Sequence, residues 1–123
     1  MRREYDGYND EALADPTTDC RELITGADFD GEGAVFWLRY IIIRNSHAST
    51  DAILELYDQD EGAATGANQR GAIDVPASTT TYIEFPAPGK SFKTNLTAGI
   101  NGGSGTISAY NVVAGGYLVG GME

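Results

Sequence analysis

The sequence predicts an all-β protein built as an antiparallel β-sandwich, and three observations lead to that prediction. Short segments rich in β-branched and aromatic residues recur at spacings of roughly ten to fifteen residues along the 123-residue chain. Turns rich in Gly and Pro separate these segments, and no part of the body places its apolar residues at a helical period. The turns are also too short to supply the crossover helices of a parallel sheet. Jelly-roll and immunoglobulin-like connectivity both stay open at this point.

Eight short strands are expected, and each has a local reason. Segment 34–44 is the longest and most apolar, which favours a central strand. Segments 51–58, 79–85 and 106–114 alternate between two faces, as half-buried strands do. The prolines of 86–89 end the strand before them, because proline cannot donate a hydrogen bond to a sheet. The predicted strands are 21–25, 34–44, 51–58, 69–75, 79–85, 91–97, 106–114 and 117–119.

The expected core consists of large apolar side chains on one face of these strands. Its predicted members are Trp37, Leu38, Ile42, Leu54, Leu56, Ile83, Phe85, Ile107 and Val113. Tyr57, Tyr82 and Tyr110 are expected on the opposite faces. There they either pack against their cross-strand neighbours or serve as exposed anchors for sugars or protein partners.

The leading segment is expected to form a separate arm. The chain carries a net charge of −10, of which −7 lies in residues 1–32 and −3 in residues 33–123. Residues 1–19 show no sustained period and are interrupted at Pro16, so they predict an acidic N-terminal arm before a β-sandwich domain at 20–123. Such charge either keeps the protein soluble or meets a basic surface on a partner.

Charge and hydropathy exclude several classes of partner. Eight basic residues against eighteen acidic ones leave too few cations to neutralise phosphates, so no nucleic-acid binding is expected. Attraction to an anionic membrane is disfavoured for the same reason. The longest apolar run, 41–43, is far shorter than a membrane span, and residues 1–6 do not resemble a signal peptide.

No metal or cofactor site is predicted. Cys20 and His47 are the only residues of their types, which leaves too few ligands for zinc and no partner for a disulfide. A lone free thiol fits synthesis in a reducing cytoplasm. The acidic turns at 28–32 and 58–61 place carboxylates in glycine-containing or polar loops, but neither has the twelve-residue calcium-loop spacing. Whether these two turns bind calcium stays open.

No catalytic residues are predicted either. His47 is expected to be a surface histidine in a polar turn, because no nucleophile elbow surrounds the neighbouring serines. The glycine-rich stretch 102–105 lacks the lysine and the following helix of a phosphate loop. A glycosidase needs two carboxylates at a defined separation, and nothing singles out a pair among the strand carboxylates. Those carboxylates are Asp51, Glu55, Asp74 and Glu84.

The order of features from Phe36 to Val113 resembles a known group of proteins. A long apolar strand leads into Arg44-Asn45-Ser46 and the segment 51–58. A glycine-rich loop follows, then 75–80, 82–86 and a closing glycine-rich hairpin. This order resembles the small β-sandwich structural proteins of tailed bacteriophage virions, in particular the capsid cement (decoration) proteins.

The resemblance implies a non-enzymatic virion protein, made in the host cytoplasm and placed on the capsid surface. Such proteins clamp adjacent major capsid protein subunits, are often homo-oligomers (dimers or trimers), and commonly reach across a neighbour with a terminal arm. Here the arm would use Arg2, Arg3, Tyr5 and Tyr8 as its anchors, because Arg and Tyr are favoured in interface cores. The alternative is a receptor- or glycan-binding module of a phage tail or fibre.

Overall fold

Two antiparallel sheets pack face to face in a computed structural model that describes residues 2–9, 13–24, 33–101 and 110–120, with only the backbone at Arg2. The prediction of an antiparallel β-sandwich is confirmed. The described residues form nine strands and one 3-10 turn at Gly66–Asn68. The strands are β1 (Arg2–Tyr8), β2 (Arg21–Glu22), β3 (Ala34–Asn45), β4 (Ala52–Asp58), β5 (Gln69–Val75), β6 (Thr79–Glu84), β7 (Lys90–Phe92), β8 (Leu96–Asn101) and β9 (Tyr110–Gly120).

The strand order identifies the connectivity as a jelly roll. One sheet has the order β1-β9-β3-β6, with β7 also paired to β3, and the other has the order β2-β8-β4-β5. β6 and β7 pair with successive parts of β3, so they form one edge strand interrupted at 85–89. Counted this way, each sheet has four strands, and every connection except β4–β5 crosses between the sheets. That alternation is typical of a jelly roll and differs from the hairpin-rich immunoglobulin order.

The core lies between the two sheets and combines aliphatic and aromatic side chains from both. Leu38, Leu54 and Leu56 of the predicted core are fully buried, and Ile83 and Phe85 pack partly buried against it. Further buried members are Leu13, Leu23, Ile24, Phe36, Ile41, Ile43, Ile73, Val75, Phe92, Leu96, Ile100, Tyr110, Val112 and Leu118. Ile107 lies outside the described residues.

A β-bulge in β3 explains one of two errors in the predicted core. The pairing of β3 with β9 shifts between Leu38 and Tyr40, which leaves Arg39 as an extra residue. An extra residue reverses the alternation that follows it, so the inward positions change parity along β3. Ile42, after the bulge, therefore lies on the outer face, and Trp37, before it, faces outward because its neighbours Phe36 and Leu38 face inward. The prediction that these two residues belong to the core is wrong.

β9 also differs from the prediction. It continues through Gly115 and Gly116, where the sequence predicted a break between two strands. Its inward set includes Tyr110 and Val112, so Tyr110 is buried instead of lying on the opposite face. Val113, predicted in the core, is 41% exposed. The error is one of parity: the predicted inward set contained Ile107 and Val113, whereas the inward residues of β9 have even numbers from Tyr110 to Ala114.

The leading segment is extended, as predicted, but it is a strand of the sheet and not a separate arm. β1 pairs with β9 over its whole length, from Arg2 opposite Val119 to Tyr8 opposite Val113. Leu13 is completely buried in the core. The boundary expected between 1–19 and 20–123 is therefore corrected for the described residues. β1 alternates between half-buried and exposed residues, but charged side chains occupy both sets and conceal the period.

Candidate interaction surface

Large aromatic and aliphatic side chains cover the outer face of the five-stranded sheet. Cross-strand pairing aligns Tyr8, Val113, Ile42 and Tyr82 in one row across β1, β9, β3 and β6. Tyr8 is 65% exposed and Tyr82 is 56% exposed. A contiguous exposed apolar patch of this kind is typical of an interaction surface. We define the aromatic face as Tyr8, Trp37, Tyr40, Ile42, Tyr82, Val113 and Tyr117.

Three rings of the aromatic face are held in fixed orientations. The rings of Tyr40 and Tyr82 stack with their centroids 6.5 Å apart and their planes at 16°. The hydroxyl of Tyr82 donates a hydrogen bond of 2.9 Å to Glu84, and this bond raises the pKa of the Tyr82 phenol. The Tyr117 hydroxyl donates to the carbonyl oxygen of Pro88 at 3.0 Å. Rings that are already ordered lose little entropy when a partner binds.

A depression of about 440 Å³ lies within the aromatic face, between β1 and β3. Beside it, Gly115 stands between Asp6 and Tyr40 in the sheet, and its lack of a side chain makes room for the Tyr40 ring. A Cβ atom at Gly115 would overlap the ring of Tyr40, which lies directly over it. The residues that line the depression are Glu4, Tyr5, Asp6, Arg39, Tyr40, Gly116 and Tyr117.

The chain itself covers the middle of the four-stranded sheet's outer face. Pro16 lies against Gly99 so closely that a Cβ atom there would meet it at 2.8 Å. The Pro16 carbonyl accepts a hydrogen bond from the amide of Ala64 at 2.8 Å, which ties the cover to a second loop. Tyr57, on the outer face of β4, is only 5% exposed. Of the two roles left open for it, packing against its neighbours fits this burial and an exposed anchor does not.

Two ionisable groups under this cover have raised pKa values. The hydroxyl of Tyr57 donates to the carboxylate of Glu55. Burial is the larger cause of the raised pKa of the phenol, and this hydrogen bond is the next. Burial raises the pKa of the Cys20 thiol to about 11. Because the thiolate is the reactive form, the free thiol of Cys20 is chemically inert at neutral pH.

The four residues predicted as arm anchors are not brought to one surface. Tyr8 belongs to the aromatic face. Tyr5 packs against the core, and the Arg3 guanidinium lies 5.9 Å from the centroid of its ring. Arg2 pairs through its backbone with Val119, and its side chain lies outside the description.

The strand carboxylates mostly satisfy local donors. Asp51 accepts the amide of Ala77 at 2.9 Å, and Glu55 accepts from Tyr57 and from the Asn101 amide. Glu84 lies in the other sheet. Asp51 and Asp74 line one depression of about 480 Å³ beside Asn101, and Glu55 and Glu84 are not part of its lining.

The acidic turn at 58–61 has a structural role. A carboxylate oxygen of Asp58 accepts the backbone amides of Lys93, Thr94 and Asn95 at 3.1, 2.7 and 3.3 Å. The turn at 28–32 lies outside the described residues. Within the described ranges, no group of three or more His, Cys, Asp or Glu side chains could hold a metal ion.

His47 is half-buried, so the expectation of a surface histidine is corrected. Its ring centroid lies 5.3 Å from that of Tyr110. The Nε2 atom of His47 and the hydroxyl of Tyr110 are both buried without a hydrogen-bond partner. The hydroxyl of Ser78 donates to the carbonyl oxygen of His47 at 3.0 Å, and the His47 backbone amide donates to the side chain of Asn45 at 3.0 Å.

Sequence reasoning missed Glu4, Asp6, Tyr40 and Tyr117 as surface residues. Two signals point to them in retrospect. Glu4 and Asp6 alternate with half-buried residues along β1. The pair Gly115-Gly116 lies inside a strand, where glycine often marks a close approach or a bulge.

No protein family matches the sequence, and no curated protein matches it significantly. Across the part of the chain that the structure describes, no helix has the length and apolar character to cross a membrane.

Proposed function

We propose that this protein is a non-enzymatic structural protein of a phage virion, which decorates the capsid by binding adjacent major capsid protein subunits. One observation carries the proposal: the aromatic face is open and ordered, whereas the chain covers much of the opposite outer face itself. Jelly rolls occur in viral capsid and lectin domains, which agrees with the proposal but does not establish it.

The chemistry of the aromatic face suits docking onto a protein. Tyr and Trp dominate the binding energy of protein interfaces, because their rings bury much apolar area and have few rotatable bonds. Tyr8, Tyr82 and Trp37 supply such rings on three different strands. A flat sheet face also matches the outer surface of a shell better than a deep cleft would.

In this proposal the aromatic face, and not the terminal arm expected at 1–19, contacts the capsid. Tyr8 keeps its expected role, since its ring belongs to the aromatic face. Assembly as a dimer or trimer, the capsid-surface location, and the lack of nucleic-acid, membrane and cofactor binding remain part of the proposal. Each of these follows from the sequence resemblance or from the net charge of −10.

Copy number tests the proposed function. Particles purified from the native source on a density gradient are analysed by quantitative mass spectrometry. We expect a copy number comparable to that of the major shell protein. Absence of the protein from the particles would overturn the proposal.

The alternative function is a receptor- or glycan-binding module of a phage tail or fibre. Stacking of Tyr40 on Tyr82 beside exposed carboxylates favours it, because sugars also pack on aromatic rings. A few copies per particle would support this alternative against the capsid role.

A further inference from the structure

We infer that the depression between β1 and β3 receives an arginine side chain of the docked protein partner. The inference rests on the proposed function in one respect, namely that the aromatic face binds a protein. It adds the chemistry of the contact at its centre. Three observations support it: the sign of the charge, the position of the rings, and the lack of an internal partner.

The charge of the depression is negative on its β1 side. Glu4 and Asp6 are two residues apart on one strand, so both project to the outer face, and both are exposed. Neither forms an ion pair or a hydrogen bond with any residue that the structure describes. Two carboxylates that are close and unpaired favour a cation between them and the sheet.

Arg39 also lines the depression and offsets one of its two negative charges, but it is not paired with either carboxylate. Its Nε atom donates to the carbonyl oxygen of Phe85 at 3.1 Å, on the β6 side of the sheet. Its guanidinium forms no salt bridge with Glu4 or Asp6. The lining therefore keeps a surplus of negative charge.

Aromatic rings flank the same space. Tyr40 is fixed by its stack on Tyr82, and the Tyr117 hydroxyl is bound to Pro88. A guanidinium stacks on tyrosine rings and forms two parallel hydrogen bonds with a carboxylate, which an ammonium group cannot do. The combination of ordered rings and free carboxylates therefore selects arginine over lysine.

A second copy of this chain is a poor occupant. Each copy carries a net charge of −10, so two copies repel each other, and the depression of each is itself negative. Like charges placed opposite each other oppose association. A partner surface that presents arginine avoids this repulsion.

The test uses the full chain and a peptide pair in an NMR titration. The probe is acetyl-Gly-Arg-Gly-amide, and its neutral match is the same peptide with citrulline in place of arginine. We expect the arginine peptide to shift the amide signals of Glu4, Asp6, Tyr40 and Tyr117, with weaker binding as salt is added. The citrulline peptide should shift them much less.

Variants locate the binding. Glu4→Gln combined with Asp6→Asn should weaken arginine-peptide binding about fivefold. Asp60→Asn combined with Asp74→Asn removes the same charge from exposed positions elsewhere and should leave binding unchanged. Equal binding of the two peptides, or equal loss in both double variants, would overturn the inference. So would a titration in which maltotriose, and not the arginine peptide, shifts the same signals.

The result is independent of the capsid proposal. If the chain is abundant on particles but the arginine peptide does not bind, the capsid role stands and the arginine contact is wrong. If the peptide binds but particles lack the chain, the contact stands and the proposed partner is wrong.

Discussion

Each sheet has a glycine in one of its middle strands, and the two glycines differ in what covers them. Gly99 of β8 is covered by Pro16, which belongs to a loop of the same chain. Gly115 of β9 is covered only by the ring of Tyr40, beside an open depression. The first glycine makes room for the backbone of this protein. The second makes room at a surface that the described part of the chain leaves uncovered.

Glycine has a structural role at Gly99, and we propose that it has a functional role at Gly115. A glycine within a strand lowers stability, because it has no side chain to pack. It is therefore found where another group packs closely against the strand backbone. At Gly99 the packing is internal and stabilises the fold. At Gly115 it orders one ring of the aromatic face, and we propose that the gain comes when a partner binds.

The largest expected effect on stability comes from adding a methyl group at the covered glycine. Gly99→Ala should lower the free energy of unfolding by about 1–3 kcal/mol, because the Cβ atom meets the backbone of Pro16. Gly115→Ala should cost less, because the atoms that it meets are at the far end of a side chain. Urea unfolding of both variants measures the difference. Equal losses would contradict the proposed distinction between the two faces.

A smaller effect is expected from removing one hydroxyl on each face. Tyr57→Phe deletes a buried hydrogen bond to Glu55 and should cost about 1 kcal/mol. Tyr82→Phe deletes the matching bond to Glu84 at an exposed site and should cost less than about 0.5 kcal/mol. Thermal unfolding at neutral pH compares them. The reverse order would show that Tyr57 is not protected by the covering loop.

The smallest effect appears only at high pH. The pKa of Tyr57 is raised in the folded state, so above the ordinary phenol pKa near 10 the unfolded chain loses this proton first. Stability is therefore complete below that pH and falls as the pH rises beyond it. The denaturant concentration at the unfolding midpoint should decline between about pH 8 and about pH 11, and less steeply in Tyr57→Phe than in the native chain. Some decline should remain, because burial also raises the pKa of Tyr110. A variant with an unchanged slope would contradict this assignment.

Local pattern predicted the strands that have clear alternation or composition. β3, β4, β5 and β6 begin and end within one residue of the predicted segments. Composition predicted the extent of β3, and alternation along the segment predicted β4 and β6. The same information predicted the fold class, because it excluded helices and long crossovers.

The features that sequence could not predict depend on distant parts of the chain. The bulge at Arg39 reverses the parity of β3 and is visible only in the pairing with β9. β1 is a strand because β9 offers it an edge, and its own charges conceal the period. The aromatic face combines four strands far apart in sequence, so single-strand patterns revealed Tyr82 but placed Ile42 in the core.

The most direct test of the central claim compares attachment to particles through the two outer faces. The full chain is added to particles that lack it, and the bound fraction is measured after a density gradient. Tyr8→Ser combined with Tyr82→Ser should weaken attachment at least about tenfold, because exposed interface tyrosines carry much of the binding energy. The control, Ile53→Ser combined with Ala72→Ser, changes exposed positions on the other sheet and should bind like the native chain. Circular dichroism confirms that both variants are folded. Native-like attachment of the tyrosine variant would contradict the claim that the aromatic face is the docking surface.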